Sequence, residues 1–141
     1  MLTEHDLLPA PVAQYDAVAM GSYHLDIREV RRTWRWIHEH PDPIPSVYNE
    51  GYLSVPVRPY PIPYRAIVPR YDECANLLVP VCVSASHVAF SSVRMEPQYE
   101  MLGHAAGLAA TRALATGRAV QRVDVADLQR RLRDEKQVLA V

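Results

Sequence analysis

Glycine is scarce. The chain has five in 141 residues, at 21, 51, 103, 107 and 117. Neither G-x-G-x-x-G nor G-x-x-x-x-G-K-[ST] can be written with them, which argues against a self-sufficient nucleotide-binding enzyme. Cysteine is scarcer still, and two of them make no disulfide framework and fall short of the four thiolates of an iron–sulfur cluster. Lysine is almost absent, so the 15 basic residues are fourteen arginines and Lys136, set against 16 acidic ones for a net charge of −1. A nucleic-acid binder held by phosphate neutralisation would show a basic excess. No run approaches 18 apolar residues, which excludes a spanning helix. The start, MLTEHDLLPAP, carries Glu4 and Asp6 and no Lys or Arg, so it does not read as a secretory signal. The expectation is a soluble, cytoplasmic, thiol-reduced chain.

What is present is 49% apolar residues, enough for one modest core, and twelve prolines, eight of them between Pro41 and Pro69. Asp26 and Glu29 have capping-box spacing, and Ile27, Val30, Trp34 and Ile37 follow on one helical stripe, with Trp34 and Trp36 as its anchors. That spacing predicts a helix over 26–40, stopped by Pro41, Pro43 and Pro45. Asn49-Glu50-Gly51 offers a hairpin turn between 47–48 and 52–55. The segment 60–67 reads as rigid and extended, either a positioned loop or a surface connector.

Residues 76–83 form a short apolar run of the kind a doubly covered parallel strand shows, with Cys82 expected to be a buried, inert thiol. Residues 84–95 read as a loop. Pro97 suits a first helical position and Gly117 the position after the last, which predicts a helix about 30 Å long. A final helix opens at Asp124 with Val125, Leu128 and Leu132 on one face. In the long helix Gly103, Ala106, Gly107, Ala110 and Ala113 line one side. Each interior glycine costs about 1 kcal/mol relative to alanine, which is tolerated where something approaches the backbone closely; tight packing on a sheet or helix is the alternative. His38, His40 and Asp42 could pair on a metal but read better as solvated side chains. Arg94 could cap the long helix by pairing with Glu96.

The run from Asn76 to Gly117 carries Ser84…His87, then Ser92-Val93-Arg94, then Gly103-His104-Ala105-Ala106-Gly107-Leu108-Ala109-Ala110. It resembles the C-terminal segment of FAD-dependent oxidoreductases of the glutathione-reductase-like superfamily, in particular the heterodisulfide-reductase-A-like group, some members of which are labelled xanthan lyase. Tyr60-Pro61-Ile62-Pro63-Tyr64-Arg65-Ala66 is similar to that group's Ile-Pro-Tyr-Arg element, and Gly21 to Asp26 to the start of its substrate-side segment. The resemblance spans about residues 18–139. It departs at His104, where the group has Gln, and at Ile27-Arg28. The dinucleotide-binding βαβ unit, whose glycine turn holds the ADP half of FAD, has no counterpart.

The resemblance implies an α/β fold. It implies a C-terminal fragment of a two-domain flavoprotein, with one strand and helix of the FAD-binding sheet (71–141) beside part of a mixed α+β substrate domain (1–70). FAD and a small-molecule substrate are the implied ligands, and the missing dinucleotide-binding unit points either to a truncated or split gene or to a two-chain flavoprotein whose other chain carries it; nucleic acid and membrane are not implied. Ser86, Ser92, Arg94, Met95, Gly103 and Ala106 become the candidate flavin contacts, and His87, Arg65 and Tyr64 the candidate catalytic residues, Arg65 and Tyr64 on the substrate side and His87 facing either flavin or substrate. The isolated chain is expected to be incomplete as an enzyme. The competing expectation is a non-catalytic remnant or interaction module without cofactor.

Overall fold

The computed structural model describes residues 1–8, 15–39 and 41–140. A short helix α1 (Glu4–Leu7) precedes six strands: β1 (Ala17–Gly21), β2 (Leu25–Ile27), β3 (Arg31–Ile37), β4 (Ile44–Glu50), β5 (Leu53–Val55) and β6 (Tyr60–Pro63). Helices α2 (His87–Val93), α3 (Glu96–Thr116) and α4 (Val125–Asp134) follow. The strands pair by nesting, β1 with β6, β2 with β5 and β3 with β4, all antiparallel. The chain therefore runs out along one side of a two-stranded ribbon and returns along the other.

The helix expected over 26–40 is not formed; among the described residues the end of β2 and the whole of β3 stand there. The apolar spacing fits a period of 3.6, but residues 31–37 also alternate and are rich in aromatic and β-branched side chains, which suit a pleated surface. Seven cross-strand pairs, from Arg31↔Glu50 to Ile37↔Ile44, decide the matter. Prolines 41 and 43 lie in the turn instead of ending a helix. His40, part of the expected helix end and of the possible metal pair, lies outside the described residues. Asp26 is no cap: its N–H donates to Ser91 Oγ at 3.1 Å.

The expected hairpin around Gly51 is also corrected. The flanking segments are strands, but β4 pairs back to β3 and β5 to β2. Gly51 is the kink between them, at φ +80°, and a Cβ there would stand 2.2 Å from Val30 Cγ2. The segment 60–67 is extended through β6 and then turns in a 3-10 helix, Tyr64–Ala66.

No parallel strand forms over 76–83. Pro80 interrupts the run, Leu77 and Val81 are exposed, and so is Cys82. The segment is a strap tied by the N–H of Val79 to the Ile67 carbonyl and that of Ser84 to the Ala66 carbonyl. The expected loop 84–95 contains α2, because Ser86 caps it by accepting the Ala89 N–H at 3.2 Å.

Helix α3 runs as expected and ends at Gly117 in the left-handed region, φ 61°. Asp124 caps α4 by accepting the Asp127 N–H, and Leu128 and Leu132 are buried. One hydrophobic core takes Leu2 and Leu7 from the start, Val18, Leu25, Tyr60 and Ile62 from the ribbon, and Val93, Leu102, Ala105, Ala109 and Leu132 from the helices. It draws on both sides of residue 70. The inner end of the ribbon is thus fixed to α3, while β3 and β4 project from the body with most of their side chains exposed.

Candidate functional site

His87, Phe90 and Arg94 fall at i, i+3 and i+7 of α2 and its cap, on the face turned from the core. Opposite them are Asp26 and Ile27 of β2 and Arg28 just beyond it. Together with Ser91 these residues line a hollow of about 250 Å³. Arg94 is held in place: its Nη2 lies 3.3 Å from Asp26 Oδ2, and its Nε donates to the Ser91 carbonyl at 3.2 Å. The alternative pairing with Glu96 is not formed. Arg28 makes no ion pair among the described residues, and His87 is exposed. One carboxylate thus faces two guanidiniums and an imidazole over the partly exposed ring of Phe90. This rim suits a small anion carried on an apolar body.

Arg94 also leads into α3. Pro97 has no N–H, and the N–H groups of Gln98 and Tyr99 are both given to the Met95 carbonyl. The N–H groups of Met95 and Glu96 have no partner among the described residues, at the end of a 21-residue helix where its dipole is positive. Two turns on, Gly103 and Gly107 are exposed, with no atom within 4 Å of where a Cβ would stand. Ala105, Ala106 and Ala109 face the core instead. The small-residue surface is therefore divided, with its glycines bare and Ala106 covered.

The other candidate residues are placed as follows. Ser86 caps α2 and donates to Glu4 Oε2 at 3.0 Å. Ser92 is fully buried, donating to the Tyr23 carbonyl and bonded to the Tyr60 hydroxyl at 2.7 Å. Tyr64 is buried as well, and its hydroxyl donates to the Val120 carbonyl at 2.8 Å. Burial pushes the Tyr64 phenol up to about 12. Arg65 lines a separate hollow with Arg70 and Glu73, and pairs with Asp16 at 2.8 Å. The structure thus unites His87 with Arg94 and separates both from Arg65 and Tyr64.

Asp26, Arg28 and Phe90 were missed as site residues. Asp26 and Arg28 were placed on a helix, and Phe90 in a loop without a defined face. The signal available was the similarity of Gly21–Asp26 to a substrate-side segment. Among the described residues no group of three His, Cys, Asp or Glu side chains could hold a metal, and no helix is long and apolar enough to cross a membrane.

No curated protein and no solved structure matches the chain. The model of one family, FAD dependent oxidoreductase, matches residues 1–132, and FAD is that family's cofactor. With nearly the whole sequence covered, the chain belongs to the FAD-dependent oxidoreductase family.

Proposed function

We propose that this chain forms the flavin-facing and substrate-facing part of an FAD-dependent oxidoreductase of the heterodisulfide-reductase-A-like group, with the dinucleotide-binding glycine turn supplied from outside this sequence. The observation that carries this is the bare Gly103–Gly107 stretch of α3, on the helix whose first N–H groups are unbonded among the described residues and which Arg94 leads into. A flat aromatic ring system needs a surface without side chains and donors at its electron-rich edge, and both are present. The residues therefore fit the ring end of FAD. They do not offer a phosphate cradle for the other end.

When bound, FAD supplies the two-electron acceptor for hydride removal from a substrate. The chain's own residues then divide the remaining work. The Met95 and Glu96 N–H groups, at the positive end of α3, would hold an electron-rich edge of the ring system and favour negative charge on it. Arg28 and Arg94 hold an anionic group of the substrate, and Phe90 packs on its apolar body. His87 stands at the rim to take the proton released as the substrate is oxidised. Tyr64, Ser92 and Ala106 serve by packing, Ser86 by starting α2, and Arg65 by tying the 3-10 turn to Asp16.

The test compares riboflavin with FAD. If the chain grips only the ring end, both bind weakly and equally, and Gly103→Leu abolishes both while far-UV circular dichroism is unchanged. Binding of neither flavin, a large preference for FAD, or indifference to Gly103→Leu would refute the assignment.

A further inference from the structure

The hydrogen bonds around the hollow between β2 and α2 are unevenly spent. Arg94 gives its Nε to the Ser91 carbonyl and its Nη2 to Asp26, at the backbone carbonyl and at Oδ2. Asp26 Oδ2 also meets the Tyr23 hydroxyl at 3.5 Å. Asp26 Oδ1 has no hydrogen bond among the described residues, and neither has the guanidinium of Arg28. Glu29, next along the chain, turns its carboxylate to Asn49 Nδ2 at 3.5 Å and makes no ion pair with Arg28 among the described residues. What the hollow has left is a donor fork, one carboxylate oxygen and the partly exposed ring of Phe90.

Each of these fixes one part of a ligand. The guanidinium fork of Arg28 matches the two oxygens of a carboxylate. A carboxylate oxygen such as Asp26 Oδ1 only accepts, so the group that meets it carries a hydrogen. Two guanidiniums against one carboxylate leave a single positive charge, which one negative charge on the ligand balances. A phosphate dianion would set a second negative charge against Asp26, and an ammonium would lie among the guanidiniums. A neutral hydroxyl answers the oxygen without either cost. The hollow is about 250 Å³, below the roughly 300–1,000 Å³ of clefts that hold drug-sized molecules, so the apolar body is a single ring or a branched chain.

We infer that this hollow holds an α-hydroxy monocarboxylate with an apolar side chain. Its carboxylate lies on Arg28, with Nη1 of Arg94 alongside; its hydroxyl donates to Asp26 Oδ1, and its side chain packs on Phe90. The inference rests on the reading of the hollow as the substrate side. The hydroxyl-bearing carbon of such a ligand carries a C–H and an O–H hydrogen, which a two-electron acceptor such as FAD removes together as hydride and proton, leaving an α-keto acid. Asp26 then sets specificity twice, holding Arg94 in place at Oδ2 and selecting a hydroxyl at Oδ1.

The probe is phenyllactate, set against phenylpropanoate, phenylalanine and phenyl phosphate, each titrated into the isotope-labelled full chain without flavin. Amide shifts at Asp26, Phe90 and Ser91 locate the binding, and their titration gives its strength. Phenyllactate should bind about tenfold tighter than phenylpropanoate, the worth of one hydrogen bond to a charged group, and should exceed phenylalanine and phenyl phosphate by at least as much. Arg28→Gln should weaken phenyllactate about tenfold, and Arg28→Lys, which keeps the charge without the fork, should fall between. Arg28 is exposed, and an unchanged far-UV spectrum verifies folding. No shift at these amides, no preference over phenylpropanoate, phenylalanine or phenyl phosphate bound as tightly, or indifference to Arg28→Gln would overturn the inference. A chain that binds riboflavin but not phenyllactate loses this ligand and keeps its flavin face; one that binds phenyllactate but no flavin keeps the ligand and loses the flavin face.

Discussion

Ser92 has one hydrogen, and it goes to the Tyr23 carbonyl, so the Tyr60 hydroxyl must be the donor in the 2.7 Å contact between them. The result is a directed chain, Tyr60 to Ser92 to the backbone of residue 23, with both side chains fully buried. Its two ends respond differently to truncation. Tyr60→Phe keeps the ring, which Gly21 abuts so closely that a Cβ there would stand 2.5 Å from Tyr60 Cζ. It removes one hydrogen bond, and Ser92 still has its acceptor, so the loss should be about 1 kcal/mol. Ser92→Ala instead strands the Tyr60 hydroxyl in the core and strips the Tyr23 carbonyl of this donor. Two unsatisfied groups should cost about 2–4 kcal/mol. Urea unfolding followed by far-UV circular dichroism measures both, with equal m-values as the check on two-state behaviour. The double variant should lose less than the sum of the singles, since the stranded hydroxyl is gone. Burial pushes the Tyr60 phenol up to about 12, against the pull of the Ser92 hydrogen bond, so its absorbance should titrate late in the wild type. A Tyr60→Phe loss equal to or above that of Ser92→Ala would refute the directed chain. An Ser92→Ala variant that keeps its stability but changes flavin affinity would return Ser92 to the cofactor.

Two further outcomes are expected. Gln137 gives its amide N–H groups to the carbonyls of Val18 and Met101, which turns its oxygen to His104 Nδ1 at 2.7 Å, while Glu135 meets Nε2 at 2.7 Å. Acceptors at both ring nitrogens favour the protonated imidazole. Its pKa is raised, first by the Glu135 hydrogen bond and then by Gln137; that of Glu135 is lowered, first by Arg131 and then by His104. The raised group stabilises below the unfolded value of 6.5 and is lost as pH climbs through the folded pKa; the lowered one stabilises above 4.5 and is lost as pH falls through its folded pKa. Docking of residues 135–139 should therefore be tightest between about pH 4.5 and 6.5, as carboxypeptidase trimming rates would show; a rate flat across pH 5–9 (roughly the span of a shifted imidazole) would refute this, and His104→Ala should flatten it. Gly51→Ala combines a positive φ with contact on Val30 and should destabilise the ribbon by about 1 kcal/mol or more, seen as faster amide exchange across β3 and β4. Unchanged exchange would mean that Val30 moves aside without consequence.

The sequence was legible where structure is decided locally. Pro97, Gly117 and Asp124 act on the backbone of their own residues or of those within a turn, and the helices they bound stand where they were expected. It was misleading where the partner is remote. Ile27, Val30, Trp34 and Ile37 satisfy a helical period, yet Trp34 and Trp36 in the same stretch satisfy a strand's period of two. What makes β3 a strand is β4, up to 19 residues away in sequence, and no window around β3 contains that information. The same holds for 76–83, whose apolar run promised a parallel neighbour but whose backbone is bonded to residues 66 and 67.

The site divides along the same line. His87 and Arg94 were singled out by the family resemblance, in a segment that reads as a loop; it is α2 that puts them on one side. Their counterparts Asp26 and Arg28 come from the ribbon, and only the pairing of β2 with β5 turns them toward α2. Tyr64 and Ser92 show the converse. A motif marks them as important without saying whether the hydroxyl looks inward or outward, and here both look inward, onto the Val120 and Tyr23 carbonyls. A polar side chain in a family motif is thus as well explained by a buried backbone group that needs it as by a ligand. Counting the partners of each hydroxyl separates the two cases: one with its donor and acceptor already matched inside the core has nothing left to offer a ligand, whereas Arg28, at the rim and without an ion-pair partner among the described residues, does.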